Sequence, residues 1–517
     1  MTKLVNVIDA WVRILGENRL ALIVLAVYLG VIFTLRVALF PGASEDDAEQ
    51  LYYAQSWAWG YKANQPPLYT WMVMALQSFF GVQAASVVAI KYSALGAMYV
   101  FYYLAALRML SDRRTALVAT LTVLGFYYIA WDMAVNYSNT ALLAAAIAGS
   151  LWAFMRIHER PTIARYAVFG LFVAAGLLAK FNYALFVLPL LMSALFAPGH
   201  RDWMVSWKIF ATVFVAVALA GPYYFWFFGS ADGLASANVN SLPMDATSTY
   251  LADITKGLWG VFRGGVSILM PGLIIAAAIL WPARSSAGQA PRQLGAHDNR
   301  RLLGAYIICV IVALILGVGV SRVSAIQAHW MIVLLPVPIF AATWLDPARI
   351  SAGRFRAFVG VFTVLALCVP LGLAVRAGVA PETCKKCNFF FPHSALSRQI
   401  EAAGFQRGTI IAMDYPNILS GNLRRYFPDS RVVSGRFLPY LAPTKIPPGK
   451  CLIIWNATRG KDLMDSSRLW QLAKRHLRLA PPLSYRLNTA EARIHGSAAR
   501  TKKLGFVILE NNLGDCR

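Results

Sequence analysis

Runs of about twenty apolar residues recur between residues 20 and 375, and they constrain the fold more than any other feature of the chain. Backbone amides find no water in hydrocarbon, so each run must close its own hydrogen bonds as a helix. The runs fall at residues 20–40, 82–107, 115–131, 138–154, 166–180, 183–196, 209–228, 266–281, 302–320, 329–345 and 355–375. This spacing predicts a polytopic α-helical membrane protein of about eleven spans. With 58% hydrophobic and 14% charged residues over 517 positions, the chain carries more apolar surface than a water-soluble fold of this length needs.

The net charge of +24 belongs to the same pattern. Arg108, Arg113 and Arg114, then Arg156, Arg160 and Arg165, then Arg284, Arg300 and Arg301, all lie between alternate runs. Basic loops on one side mark the cytoplasmic face. No basic-aromatic module appears, so nucleic acid is excluded as a partner. The segment 229–263 falls on the outer side and reads as a polar loop without periodicity.

Beyond residue 375 the composition changes. Strand-like runs at 409–413, 431–433, 451–455 and 504–509 alternate with helical patterns at 394–403, 415–426 and 462–476. Residues 379–517 therefore read as a small α/β domain, placed on the periplasmic side by an odd number of spans. Cys384, Cys387, Cys451 and Cys516 lie there, where an oxidising compartment favours disulfides. Cys384-Lys-Lys-Cys387 lacks a second pair at zinc spacing. Cys309 and Cys368 sit inside apolar runs and read as small core residues.

The chemistry concentrates in the first outer loop, residues 41–83, within the membrane domain 1–378. Glu45, Asp46, Asp47 and Glu49 fall within five positions of a chain with only 24 acidic residues. Anionic headgroups repel such a cluster, so it needs a reason to stand at a membrane exit. One reason is acid/base or metal chemistry. Another is structural: Ser44 with Glu45 to Asp47 suits a helix N-terminus. Tyr52, Tyr53, Trp57, Trp59, Tyr61, Tyr69 and Trp71 follow, either as an interfacial belt or as stacking surfaces for sugar or prenyl groups.

Asp46-Asp47-Ala48, followed by Gln65-Pro66-Pro67-Leu68-Tyr69-Thr70-Trp71, resembles the first-loop signature of membrane glycosyltransferases with the GT-C fold. The likeness is to the protein O-mannosyltransferase-like bacterial group that includes the lipid A aminoarabinose transferase. Leu178-Ala179-Lys180-Phe181 resembles the same group's junction between fifth and sixth spans. Asp47-Ala48-Glu49-Gln50, Trp59-Gly60-Tyr61 and the Asn64 to Trp71 stretch look most like the rhizobial lipopolysaccharide galacturonosyltransferases. Three positions depart from the pattern. Asp47 replaces a Glu, Asn64 stands where the aminoarabinose enzyme has a metal-binding Glu, and Asn139 stands where relatives often have Asp. The last two weaken the case for a metal or a second acidic site, and a divalent cation stays an open alternative to no cofactor.

The resemblance implies an inverting transfer from a polyprenyl-phosphate sugar to a lipid or glycolipid acceptor at the periplasmic face of the bacterial inner membrane. Asp46 is then the base and Asp47 its partner. Glu49, Tyr53, Asn64, Gln65 and Tyr69 join them as substrate-binding residues. The leaving phosphate asks for cations. Lys180, Arg263, Arg322 and His329 stand at outer span ends, where snorkelling also explains them. The alternatives are a flippase or transporter of lipid-linked sugar, a protein O-mannosyltransferase-type enzyme, and an assembly protein. Against a transporter, no broken spans are evident in the sequence, and Lys91 is the main charge within a run.

Overall fold

The computed structural model describes residues 2–61, 65–110, 112–231, 249–284, 296–384, 388–413, 418–434, 443–458 and 488–510. Five helices open the chain: α1 (Thr2–Gly16), α2 (Asn18–Leu39), α3 (Glu45–Tyr53), α4 (Leu68–Phe80) and α5 (Ala84–Leu110). Among the described residues, six helices are long and apolar enough to cross a membrane: Arg19–Leu39, Ala84–Leu110, Ser138–Glu159, Ile209–Gly229, Asp298–Ser321 and Ala352–Thr383. The chain is a membrane-embedded helical protein with a small C-terminal sheet domain.

Contacts divide it into two compact units. The first comprises Met1–Val31, Lys62–Pro66 and Lys91–Pro370, and the second Ile32–Tyr61, Pro67–Ile90 and Leu371–Arg517.

In the first unit, several apolar runs are interrupted where the sequence reading made them continuous. The helix Arg113–Leu124 passes at Gly125 into a short π-helical turn, Tyr128–Asp132. The 329–345 run is a 3-10 segment, Ala328–Leu334, and a short helix, Val337–Ala342, separated at Pro336. Just past the end of the 183–196 run, Pro198–Met204 turns by 111° from Phe181–Phe196. The expectation of unbroken spans is thus corrected. Proline and glycine supply the reason, since proline removes an amide donor and cannot follow a straight helical turn.

The loop expected at 229–263 also needs correction. Residues 232–248 lie outside the described residues, but Tyr250–Leu269 is a helix. Its buried face is Asp253, Gly257, Gly260, Gly264 and Ile268. That i, i+3, i+4 spacing is a helical stripe made of glycine rather than of large apolar residues. An added Cβ at Gly257 would come within 2.4 Å of the Val323 carbonyl oxygen, so the bare backbone is what permits the contact. The unit also buries Leu117, Val118, Leu280, Phe355, Phe358 and Phe362 in one cluster.

In the second unit a five-stranded sheet runs in the order β2-β1-β3-β5-β4. The strands are β1 (Gly408–Met413), β2 (Arg431–Ser434), β3 (Lys450–Asn456), β4 (Asn488–Arg493) and β5 (Thr501–Leu509). β1 pairs in parallel with β2 and β3, while β5 is antiparallel to β3 and β4. The four expected strands are present. β4 was not read from the sequence because only Ala490 of Asn-Thr-Ala-Glu-Ala-Arg is buried. The helix expected at 394–403 is His393–Ala402, and that at 415–426 is shorter, Ile418–Leu423. The pattern at 462–476 lies outside the described residues.

Cys384 and Cys451 each belong to a disulfide; Cys387 and Cys516 lie outside the described residues. Cys309 and Cys368 are free thiols, half-buried and exposed respectively. The core reading of Cys368 is therefore corrected. Its helix, Ala352–Thr383, turns it outward as it does Val364, Leu367 and Leu371, the surface an apolar span offers to lipid.

Candidate functional site

The acidic cluster forms the first turn of α3, as the capping reading expected. Ser44 stands at the N-cap without a capping bond from its side chain, and its carbonyl accepts from Ala48 N at 2.6 Å. Carboxylates in a first turn face the positive end of the helix dipole. The four then part company. Glu45 is exposed, Asp46 is half-buried, and Asp47 and Glu49 are 0% and 5% exposed.

Asp47 has a cationic partner that sequence reading did not assign to it. Arg36, near the end of α2 and 1% exposed, donates from Nη2 to Asp47 Oδ2 at 3.2 Å. Its Nη1 reaches the Phe40 carbonyl at 3.1 Å, and its guanidinium lies 4.5 Å from the centre of the Phe389 ring. A buried pair of this kind contributes little net stability, but removing one member leaves an uncompensated charge. Its visible effect is on position: Asp47 is tied down, and the adjacent Asp46 is the first-turn aspartate with access to solvent.

Residues of the C-terminal domain hold the backbone of this loop in place. Gly42 N donates to Phe389 O at 2.8 Å, and any Cβ on Gly42 would meet Asn388 O at 2.8 Å. Asn422 accepts from Ala43 N at 2.9 Å and donates to Ala43 O at 3.1 Å. At Gly421 an added Cβ would lie 2.0 Å from Ala48 O, so the short helix Ile418–Leu423 rests directly on α3. Arg424 donates to the Leu51 carbonyl. Gln55, past the end of α3, bonds both polar groups of Val432, at 3.0 Å and 3.1 Å.

The remaining loop residues serve this frame. Gln50 accepts from Thr70 Oγ1 at 2.7 Å, tying α3 to α4. Tyr69 is fully buried and donates to Val87 O at 2.6 Å, while Tyr53 is buried against Tyr61. Trp57, Trp59 and Trp71 cluster, with Trp57 stacked on Trp71 at 6.1 Å, and Trp57 and Trp59 exposed. Gln65 is half-buried, and Asn64 lies outside the described residues. A cavity of about 410 Å³ opens between Arg36, Val37, Phe40, Val82, Val88 and Arg425. Arg36 lines it; Asp46 and Asp47 do not. Among the described residues, no group of three or more His, Cys, Asp or Glu is placed to hold a metal ion.

In the first unit the expected cations have individual partners. Lys180 follows the helix Ile163–Ala179, is 8% exposed, and donates from Nζ to Thr140 Oγ1 at 3.0 Å. Its charge reaches His329, whose ring lies 4.7 Å from Tyr137. Asn182 Nδ2 donates to Trp330 O at 3.4 Å, so the Lys180 junction and the His329 segment meet. Tyr183, packed over Gly176, shares a 2.6 Å hydrogen bond with Ser150 and anchors the turn after Lys180. Arg322 has φ 54°, a left-handed conformation costing about 1–3 kcal/mol in a non-glycine residue. Its guanidinium pairs with Asp253, 1% exposed, at 2.8 Å. Arg263 is exposed and acts on Tyr128 through its charge.

Lys180 and His329 are thus brought together, whereas Arg322 is engaged by Asp253. Arg36, Thr140, Asn182 and Asp253 were not named as site residues. Arg36 had a signal, being one of the few charges in or beside an apolar run; Thr140 had none.

Comparison with known proteins bears out the first-loop resemblance. Residues 64–226 match the family model described as dolichyl-phosphate-mannose-protein mannosyltransferase. The chain is 27% identical over 456 residues to the lipopolysaccharide core galacturonosyltransferase RgtA of Rhizobium johnstonii, covering 86% of this chain and 88% of the relative. It is 24% identical over 446 residues to RgtB of the same organism, covering 84% and 87%. In fold it is similar to ArnT from Cupriavidus metallidurans, solved bound to undecaprenyl phosphate. That likeness has a TM-score of 0.60 at 14% identity and covers 95% of this chain and 98% of the other, which shows the architecture.

Proposed function

We propose that this chain, a membrane glycosyltransferase of the GT-C type, moves galacturonic acid from a polyprenyl phosphate to the lipopolysaccharide core at the periplasmic face of the inner membrane. The observation that carries this reading is the likeness to two galacturonosyltransferases along more than four fifths of both chains. Residues 1–378 supply the membrane domain, with the acidic loop at 41–83, and residues 379–517 the periplasmic domain.

The chemistry follows from a good leaving group. An acceptor hydroxyl oxygen attacks the anomeric carbon, and the bond from that carbon to the phosphate oxygen breaks. The electron pair leaves on the lipid phosphate, so no general acid is needed. Asp46 takes the hydroxyl proton and aligns the oxygen for displacement, which inverts the anomeric carbon. Asp47, neutralised by Arg36, holds the turn that carries Asp46. Of the four cations expected at outer span ends, Lys180 is the most buried and is assigned to the developing phosphate charge, because a desolvated donor acts more strongly than an exposed one. Tyr69 and Gln65 belong to the supporting loop.

The test is mass spectrometry of lipopolysaccharide from a deletion strain, with restoration by the wild-type gene and by an Asp46→Asn variant. Loss of a hexuronic acid mass from the core, restored by wild type alone, is the expected result. An unchanged core rejects the proposal. One observation favours the transporter reading, the 111° bend between Phe181–Phe196 and Pro198–Met204. Purified protein that moves labelled lipid-linked sugar across vesicles without acceptor would select it.

A further inference from the structure

The second unit holds a cavity of about 370 Å³ away from the acidic first turn, lined by Arg407, Arg424, Arg431 and Lys445, with Asp429, Ser430 and Gln55. Four cations thus face one carboxylate. Solvated basic faces are common, but this wall is built differently. Arg424 is 6% exposed, and its Nε has no hydrogen-bond partner among the described residues. Ser430, equally buried, presents a hydroxyl without a partner among the described residues. Arg431 is oriented by a 2.7 Å bond from Nε to Pro443 O.

We propose that this cavity binds the anionic part of the acceptor saccharide, a carboxylate- or phosphate-bearing sugar. The inference rests on the lipopolysaccharide-core reading above and adds where the acceptor is recognised. Charge supports it: burial lowers the Arg424 guanidinium to about 10, partly offset by Tyr52, and burial also lowers Arg431. Both groups would gain from an anion in the cavity. Its position supports it too. Gln55, just past the end of the helix that begins with the acidic turn, also lines the wall. Forked guanidinium groups suit planar carboxylates and phosphates.

The test uses Arg407→Ala/Lys445→Ala, two exposed side chains whose loss leaves the buried Arg424 in place. Full-length protein in detergent is titrated with deacylated core oligosaccharide, without donor, and transfer is measured separately. The expected result is about tenfold weaker binding, a matching rise in acceptor KM rather than a fall in kcat, and weaker salt dependence. Carboxyl-reduced and dephosphorylated oligosaccharides form two further arms. Loss of binding in the first assigns the carboxylate, and loss in the second assigns the phosphate. Unchanged binding by the double variant, or by both treated oligosaccharides, overturns the proposal. Absence of transfer by wild type despite oligosaccharide binding would instead reject the proposed reaction, so the two failures are separable.

Discussion

The acidic helix α3 and the Lys180 junction each present a charged group to its surroundings, but by different means. α3 is held through its backbone. Asn422 takes both polar groups of Ala43, Arg424 donates to the Leu51 carbonyl, and Gly421 lies against Ala48. Lys180 is held through its own ammonium, which donates to Thr140. A frame made of backbone bonds fixes where the helix that carries Asp46 starts. A bond to the charged group itself spends one donor of that group on position. The contrast suits the roles proposed for them, a base that must exchange a proton and a cation that only has to remain charged.

Substitution at each place should separate the two designs. Asp46→Asn should lower kcat by roughly 10²–10⁴-fold while donor binding persists, read by transfer of labelled sugar and by donor titration. A variant that transfers at the wild-type rate removes Asp46 from the mechanism. Lys180→Met should lower kcat by about a hundredfold with an unchanged melting profile; a fall in stability alone would make it a structural cation. Arg36→Met should cost about 3–5 kcal/mol by stranding Asp47, and Arg36→Met/Asp47→Asn should recover most of it. Thermal unfolding in detergent reads both. Asn422→Ala should cost about 1–3 kcal/mol and also lower kcat, because the start of α3 moves. Loss of stability without loss of rate would show that the frame does not position Asp46.

A last effect is a pH dependence that originates in the second unit. Burial, then the like charge of Arg425, lowers the His393 imidazole to about 3. The unfolded chain takes that proton near about 6.5. Stability is therefore complete above that value and is lost as pH falls toward 3, since the unfolded state binds more protons. His393→Gln should flatten this acid limb in a melting-temperature series.

The helical membrane architecture was legible because apolar run length and loop charge are direct consequences of the bilayer. The start of α3 was legible because Ser44 followed by three carboxylates suits a helix N-terminus. Interruptions were less so. Gly125, Pro336 and the glycine stripe of Tyr250–Leu269 look like ordinary members of apolar or polar stretches until their contacts are known. Asn422 and Gly421 lie some 370 residues from the backbone groups they support, a pairing no local pattern carries. Arg36 could have been read as the counter-charge of Asp47, since a cation at an apolar run's end needs a partner as much as the carboxylate does.

Gln55 has a consequence beyond the loop it terminates. β2 is an outermost strand of the sheet, only four residues long. An outer strand ordinarily advertises unpaired peptide groups to any extended polypeptide that drifts past. Here a side-chain amide already occupies the NH and CO of Val432, as a neighbouring strand would. At Val432 that border is closed by one glutamine, which leaves the residue's peptide groups nothing to offer another copy of the chain.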